Sequence, residues 1–343
     1  MENLRIPMKA GMLFLAATLL LWSCDRTGKS GQTTTEKPVA ESVITLKAPA
    51  FSGDSAYMFI ARQVAFGPRV PNSAAHRQCG DYLIATLKKY GADVTVQEFT
   101  ATAYNGTKLQ ARNIIAAFNP KATKRILLAA HWDTRHVADK DSTRTKQPID
   151  GANDGASGVG VLLETARIVS LANPKPAVGV DIILFDVEDY GIPEFDDRSK
   201  YANAENNAEF YCLGSQHWGK NPHKPGYSAY YGILLDMVGA KNATFFREQS
   251  SAEYASGILD KVWGVAQALG YGQYFRNEPS AAITDDHTFV NTYAKIPMID
   301  VIDFTLQGTF GHYHHTHKDN MDVIDKNTLK AVGQTVVQVV WQE

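Results

Sequence analysis

The period of apolar and polar positions changes repeatedly along the chain, and each change marks an element. From Asp54 through Ile60 to about Phe66 the pattern predicts a helix capped by Asp54 and stopped by Gly67-Pro68. A second helix, from about Ser73 to Tyr90, repeats Leu83, Leu87 and Tyr90 on one face and ends at Gly91. Residues 94–99 alternate like a half-buried strand. Residues 113–118, 125–130, 180–187, 230–235 and 297–302 are short continuous apolar runs, the pattern of central strands covered on both faces. Helical periods follow at 156–171, 253–269, 286–292 and 326–341. Strands alternating with helices predict an α/β fold with a mixed, mostly parallel sheet between two helix layers. No repeat or linker interrupts residues 54–341, so one domain over 51–343 is expected.

The amino-terminal pattern differs. Arg5 and Lys9 precede an apolar run over residues 12–22, broken only by Thr18. Eleven residues suit the hydrophobic stretch of a signal peptide, whereas a membrane-spanning helix needs about 20. The run ends in Leu21-Trp22-Ser23-Cys24, which resembles a bacterial lipobox, in which the cysteine becomes the lipidated first residue. A signal peptide over 1–23, lipidation at Cys24 and a polar tether over 24–50 are therefore expected. The protein is expected to be exported and held by a lipid anchor, facing the periplasm or the cell surface.

Composition removes several function classes. The 343 residues carry 34 Lys plus Arg against 36 Asp plus Glu, a net charge of −2, so there is no basic footprint for nucleic acid. The 44% hydrophobic content supports a large core. Three cysteines cannot form a disulfide scaffold; with Cys24 lipidated, Cys79 and Cys212 are expected to be buried free thiols without a role in the site.

Chemistry concentrates where strands end. His131-Trp132-Asp133, Asp186-Val187-Glu188-Asp189, Asp236 and Asp303 directly follow apolar runs. In open α/β sheets ligands bind at the carboxyl ends of strands. Converging carboxylates there repel one another unless a cation or shared protons compensate them. The glycine-rich loop Asp150-Gly-Ala-Asn-Asp154-Gly-Ala-Ser-Gly lacks both the dinucleotide and the P-loop patterns, and Ser157 fails the nucleophile-elbow pattern. A carboxylate presented from a turn to a metal fits it better. His312, His314, His315 and His317 form a cluster, and imidazole with two or three carboxylates is a zinc-type ligand set. No H-E-x-x-H helix is present, so a zinc site must be assembled from separate loops.

The succession HWDT (131–134), DGANDGASG (150–158), FDVEDYG (185–191), LGS (213–215), LLDMVGA (234–240), DDHTF (285–289) and HHTHKDN (314–320) resembles the M28 zinc aminopeptidase superfamily, and within it the glutaminyl cyclases. The resemblance implies an α/β/α sandwich, one Zn2+ per chain and zinc ligands at Asp154, Asp189 and His315. His315 is singled out because Thr316 and Asp319 follow it in the family's spacing. It implies Glu188 as general base and acid, with Asp236 and Asp285 handling substrate and protons; their closeness should raise a carboxyl pKa. His131, Phe310 and His314 are the implied substrate contacts. This chain has Glu188-Asp189 where animal cyclases have Glu-Glu, His314 where they have tryptophan, and an insertion over 192–211.

The implied reaction is cyclisation of amino-terminal Gln in peptides and proteins to pyroglutamate, with release of ammonia. A two-zinc aminopeptidase on the same fold is the alternative, with His131 and Asp236 matching second-ion ligands. An inactive exported binding module is the third reading. A monomer is expected.

Overall fold

The computed structural model describes residues 46–201 and 208–343, which lie in one compact unit. The expected signal peptide, Cys24 and the tether up to residue 45 lie outside the described residues, as does 202–207 of the insertion.

In chain order the elements are α1 (Gly53–Val64), α2 (Ala74–Lys89), β1 (Asp93–Thr102), β2 (Lys108–Phe118), β3 (Arg125–His131), α3 (Ala156–Leu171), β4 (Gly179–Phe185), α4 (Leu213–Lys220) and β5 (Tyr231–Asp236). Then come β6 (Phe245–Glu248), α5 (Gln249–Ala268), β7 (Phe275–Ser280), α6 (Asp286–Phe289), β8 (Met298–Ile302) and α7 (Lys326–Trp341). The main sheet runs β1-β2-β4-β3-β5-β8. The β1/β2 and β2/β4 pairs are antiparallel; the β4/β3, β3/β5 and β5/β8 pairs are parallel. The expected mixed, mostly parallel α/β sandwich is what forms.

Register explains why the apolar runs are continuous. Leu128 lies beside Ile182 and Ile233, and all three enter the larger core with Ile60 of α1, Val159 of α3, Leu259 of α5 and Val332 of α7. One residue on, Ala129 lies beside Ile183 and Leu234, which face the opposite core with Trp218 of α4 and Val290. Successive strand residues point to opposite faces, so a strand buried on both has no polar alternation. The four parallel strands share one direction, bringing their carboxyl ends to the same edge.

Local boundaries depart from the pattern in several places. Ser52, not Asp54, caps α1, accepting from the Ser55 amide; Asp54 sits in the first turn and pairs with Lys326. Glu248 caps α5, accepting from the Ser250 and Ser251 amides, so that helix begins four residues earlier than its apolar period. The helix expected over 286–292 is α6 followed by a π-helical turn, Val290–Ala294. α4 is short and carries two glycines, giving little periodicity, and the two-stranded sheet of β6 and β7 was not expected at all. β8 was expected to be central but lies at the sheet edge, where α5 and β6 pack against it. Asp303 is not a site residue: it accepts from the Thr244 amide and the Tyr313 hydroxyl, bracing two loops.

Candidate metal centre

The loop before α3 is shaped from below. Asp319 accepts from the amides of Asn153 (2.7 Å) and Asp154 (3.0 Å), while buried Arg69 donates to the carbonyls of Trp132, Asp150 and Gly151. Gly155, at φ 93°, lies where a Cβ would come within 2.8 Å of the Asp133 carbonyl and 3.0 Å of the His131 ring. That close approach sets Asp154 against β3. After β4, Asp133 accepts from the amides of Glu188 (3.0 Å) and Asp189 (3.2 Å), holding both acids in place. The chain turns sharply at non-glycine residues with left-handed φ: Val187 (52°), Cys212 (55°), Met237 (47°) and His315 (56°). Each such residue costs about 1–3 kcal/mol, and such strain gathers at functional sites.

These turns bring together groups from five segments. His315 Nε2 lies 3.3 Å from Asp189 Oδ1 and 3.7 Å from Asp154 Oδ2. Atoms bound to one tetrahedral zinc lie roughly 3.3–3.5 Å apart. Asp189 Oδ2 is buried with no hydrogen-bond partner among the described residues, an acceptor left for a cation. Asp154, His314 and His315 form a grouping with metal-ligand spacing, and Asp189 stands 3.3 Å from His315, so the donors present fit zinc. Below them His131 Nε2 lies 3.1 Å from both Asp154 Oδ1 and Asp236 Oδ1, a second grouping with metal-ligand spacing.

The electrostatics favour a cation or shared protons among these acids. Burial pushes the Glu188 carboxyl well above its ordinary range, and Asp189, Asp285 and Asp286 add to this against the opposing pull of His131. Burial likewise raises Asp236, to about 7, with Asp285 and Asp154 adding and His131 opposing. Asp189 is raised by burial and by Asp154, against His315 and Arg135. For Asp154 burial is outweighed by the bond and charge of His131 and by His315, so its carboxyl stays below the usual range.

Asp154, Glu188, Asp189, Asp236, Asp285, Phe310, His314 and His315 all line one cavity, as the sequence predicted. His131 does not. It is 1% exposed and lies beneath Asp154 and Asp236, so the expected substrate contact is a hydrogen-bond partner of the lining. Asp133 is also behind the lining, tied to the 188–189 amides. His312 is exposed and His317 pairs with Asp141 at 2.8 Å, so neither joins the centre. Cys79 and Cys212 are buried and free, as expected. Yet Cys212 is no bystander, because its thiol donates to Glu188 Oε1 at 3.2 Å.

Several residues around the cavity were not foreseen. Ile192, Glu194, Arg198 and Tyr211 of the insertion line it, with Lys140. Lys140 Nζ donates to His314 Nδ1 at 2.8 Å and lies over the Phe310 ring, and burial together with the charge of His315 and Lys140 keeps His314 neutral. Behind Asp285 stand Asp300 and His287; His287 is 3.3 Å from Glu248 and 3.8 Å from Asp300. The signal for Asp300 was an acid inside the apolar run 298–302. Arg135 directly follows HWDT, and Asp139 stands four residues further on.

Residues 113–340 match the model of peptidase family M28. A Zn-dependent exopeptidase from Parabacteroides distasonis ATCC 8503 has a similar structure, at TM-score 0.81 and 53% identity, covering 86% of this chain and 100% of that one. Bacteroides thetaiotaomicron glutaminyl cyclase bound to N-acetylhistamine gives TM-score 0.82 and 51% identity, over 87% and 100%. The glutaminyl-peptide cyclotransferase of Drosophila melanogaster is 26% identical over 284 residues, 76% of this chain and 73% of its own length. The family match runs from β2 to α7 and includes Asp154, Asp189 and His315. This chain belongs to peptidase family M28.

Proposed function

We propose that the protein is a zinc-dependent glutaminyl cyclase that converts amino-terminal glutamine of peptides and proteins to pyroglutamate. The observation that carries this reading is the position of Glu188, an acid with a raised pKa in the cavity wall next to Asp189 and across from His315. Similarity to bacterial glutaminyl cyclases at about half identity supports it.

Asp154, Asp189 and His315 would hold one Zn2+, which would supply Lewis-acid polarisation of the substrate γ-carbonyl. In the reaction the α-nitrogen bonds to the γ-carboxamide carbon, the bond to the amide nitrogen breaks, and ammonia leaves. Glu188 takes a proton from the attacking amine and returns it to the leaving nitrogen. Asp236 and Asp285 hold the amino group and share protons. Phe310 and His314 form a wall against the folded glutamine side chain, and such orientation supplies much of the rate of an intramolecular step.

A two-zinc aminopeptidase is the second reading, favoured by the spacing of His131, Asp154 and Asp236. Incubation with Gln-, Leu- and Ala-peptides separates the two. Ammonia release with no shortened product supports cyclisation, whereas loss of an intact first residue supports the peptidase. Zinc content of one ion per chain agrees with the first.

Export through residues 1–23, lipidation at Cys24, a tether to residue 50, periplasmic or surface exposure and a monomeric catalytic body complete the proposal, on the strength of the amino-terminal pattern. The mass of the mature amino-terminal peptide tests the anchor.

A further inference from the structure

The loop between β3 and α3 carries two charged side chains that the reaction scheme leaves without a task. Arg135 and Asp139 have no exposed side-chain surface. Arg135 grips Asp139 with two parallel donors, Nη2 to Oδ2 at 2.6 Å and Nε to Oδ1 at 3.2 Å. Its Nη1 reaches Asp189 Oδ1 at 3.2 Å and the Gly191 carbonyl, and Nη2 also points at the Ile192 carbonyl. Asp139 Oδ2 accepts from the Glu194 amide at 2.9 Å. Its Oδ1 faces His315 Nδ1 at 3.4 Å, on the side of the ring away from Asp154 and Asp189. The next residue, Lys140, donates its amide to the His315 carbonyl at 3.2 Å, fixing the backbone beneath the ring.

We propose that Asp139, clamped by Arg135, is the positioning residue of the centre. It accepts the Nδ1 proton of His315, so the Nε2 lone pair is turned toward Asp154 and Asp189, while the same guanidinium holds Asp189 from behind. The inference rests on the zinc reading above. Its physical basis is general: a carboxylate behind a metal-binding imidazole fixes the tautomer and ring orientation and raises the basicity of the other nitrogen. The alternative is a loop clasp, joining 135–139 to 189–194 with no effect on the metal. A clasp uses both Asp139 oxygens, Oδ1 through Arg135 Nε and Oδ2 through Nη2 and the Glu194 amide, but it does not require His315 Nδ1 to stand 3.4 Å from Oδ1.

The test is equilibrium competition for zinc between a chromophoric chelator and the full chain, in wild type, Asp139→Asn and Asp139→Ala. Melting temperatures of the metal-free and zinc-loaded forms are measured alongside. The expected result is zinc binding about 10–100-fold weaker in Asp139→Ala and weakened in Asp139→Asn, which keeps the size of the side chain but loses its charge. The rise in melting temperature produced by a fixed zinc concentration should shrink in step. A clasp predicts instead a lower metal-free melting temperature with unchanged zinc affinity and an unchanged zinc-induced rise, and that result overturns the proposal. Wild-type protein that takes up no zinc would overturn the metal reading itself, an outcome read without any variant. Should Asp139→Ala fail to fold, the near-isosteric Asp139→Asn decides.

Discussion

The thiol of Cys212 donates to Glu188 Oε1 at 3.2 Å, and the Cys212 amide donates to the Glu188 carbonyl at 2.8 Å. One residue thus holds both ends of the proposed base, from a left-handed turn at φ 55°. A donor to the ionised carboxylate favours that form. Removing it in Cys212→Ala should move the acidic limb of the kcat–pH profile to higher pH. Cys212→Ser, with a stronger donor, should move it lower. Profiles of all three proteins at saturating peptide check this, and coincident limbs would sink the idea.

Glu188→Gln keeps the shape of the side chain and removes its ability to accept a proton. Turnover of Gln-peptides should fall by about 10²–10⁴-fold. Zinc content should stay at the wild-type level, because Asp154, Asp189 and His315 carry the binding. Ammonia release and metal analysis on one preparation measure both, and wild-type turnover in this variant would remove Glu188 from its role.

Chelation of the metal should abolish activity and lower the melting temperature, since buried Asp154 and Asp189 and half-buried Glu188 then face one another without a cation. A ligand bound only by the folded state, at 100 times its Kd, adds about 2.7 kcal/mol. Readdition of Zn2+ should restore both. In Asp189→Ala the zinc-induced rise should be largely lost, as scanning calorimetry with and without the ion will show.

The metal-free protein should also become less stable as pH rises. Asp236 ionises at about 7 in the folded chain, against 3.8 for an ordinary aspartate. Between those values the folded state holds a proton that the unfolded state has released. The contribution of this group is therefore fully present below pH 3.8 and is lost as pH rises through 7. Denaturant midpoints of metal-free wild type and Asp236→Asn across pH 4–8 should show a steeper fall in the wild type.

Helix α3 approaches β5 so closely that a Cβ on Gly158 would lie 2.1 Å from the Leu235 carbonyl oxygen. Gly158→Ala must push the helix away, at a cost of about 1–3 kcal/mol. Because α3 starts beside Asp154 and β5 ends at Asp236, the same shift should weaken zinc binding. Urea unfolding with metal titration tests both effects, and a variant as stable as wild type would show that the helix tolerates the methyl.

The strands and long helices were legible because their signal is local. Ile126, Leu128, Ile182, Leu184, Ile233 and Leu235 enter the core by period alone, and Ser73 stands where a cap must. Most of the cavity was legible too, since Asp154, Glu188, Asp189, Asp236, Asp285 and His315 stand in motifs of fixed order. Asp54 misled because both it and Ser52 can cap; in the fold Ser52 caps and Asp54 pairs with Lys326 at the start of α7.

By itself, then, the sequence determined most of the segments that form strands and helices, and that acids and histidines fall at strand ends. Those are properties of neighbours along the chain. The tertiary structure alone decided that β8 closes the sheet at an edge, that His131 and Asp133 lie behind the cavity wall, and that Cys212 touches Glu188. It alone also placed Arg135 and Asp139 between Asp189 and His315. Such pairings join residues far apart in sequence through turns at Val187, Cys212 and His315 whose φ values no period encodes. The physical reason is that burial and charge act through space, and only the folded backbone sets those distances.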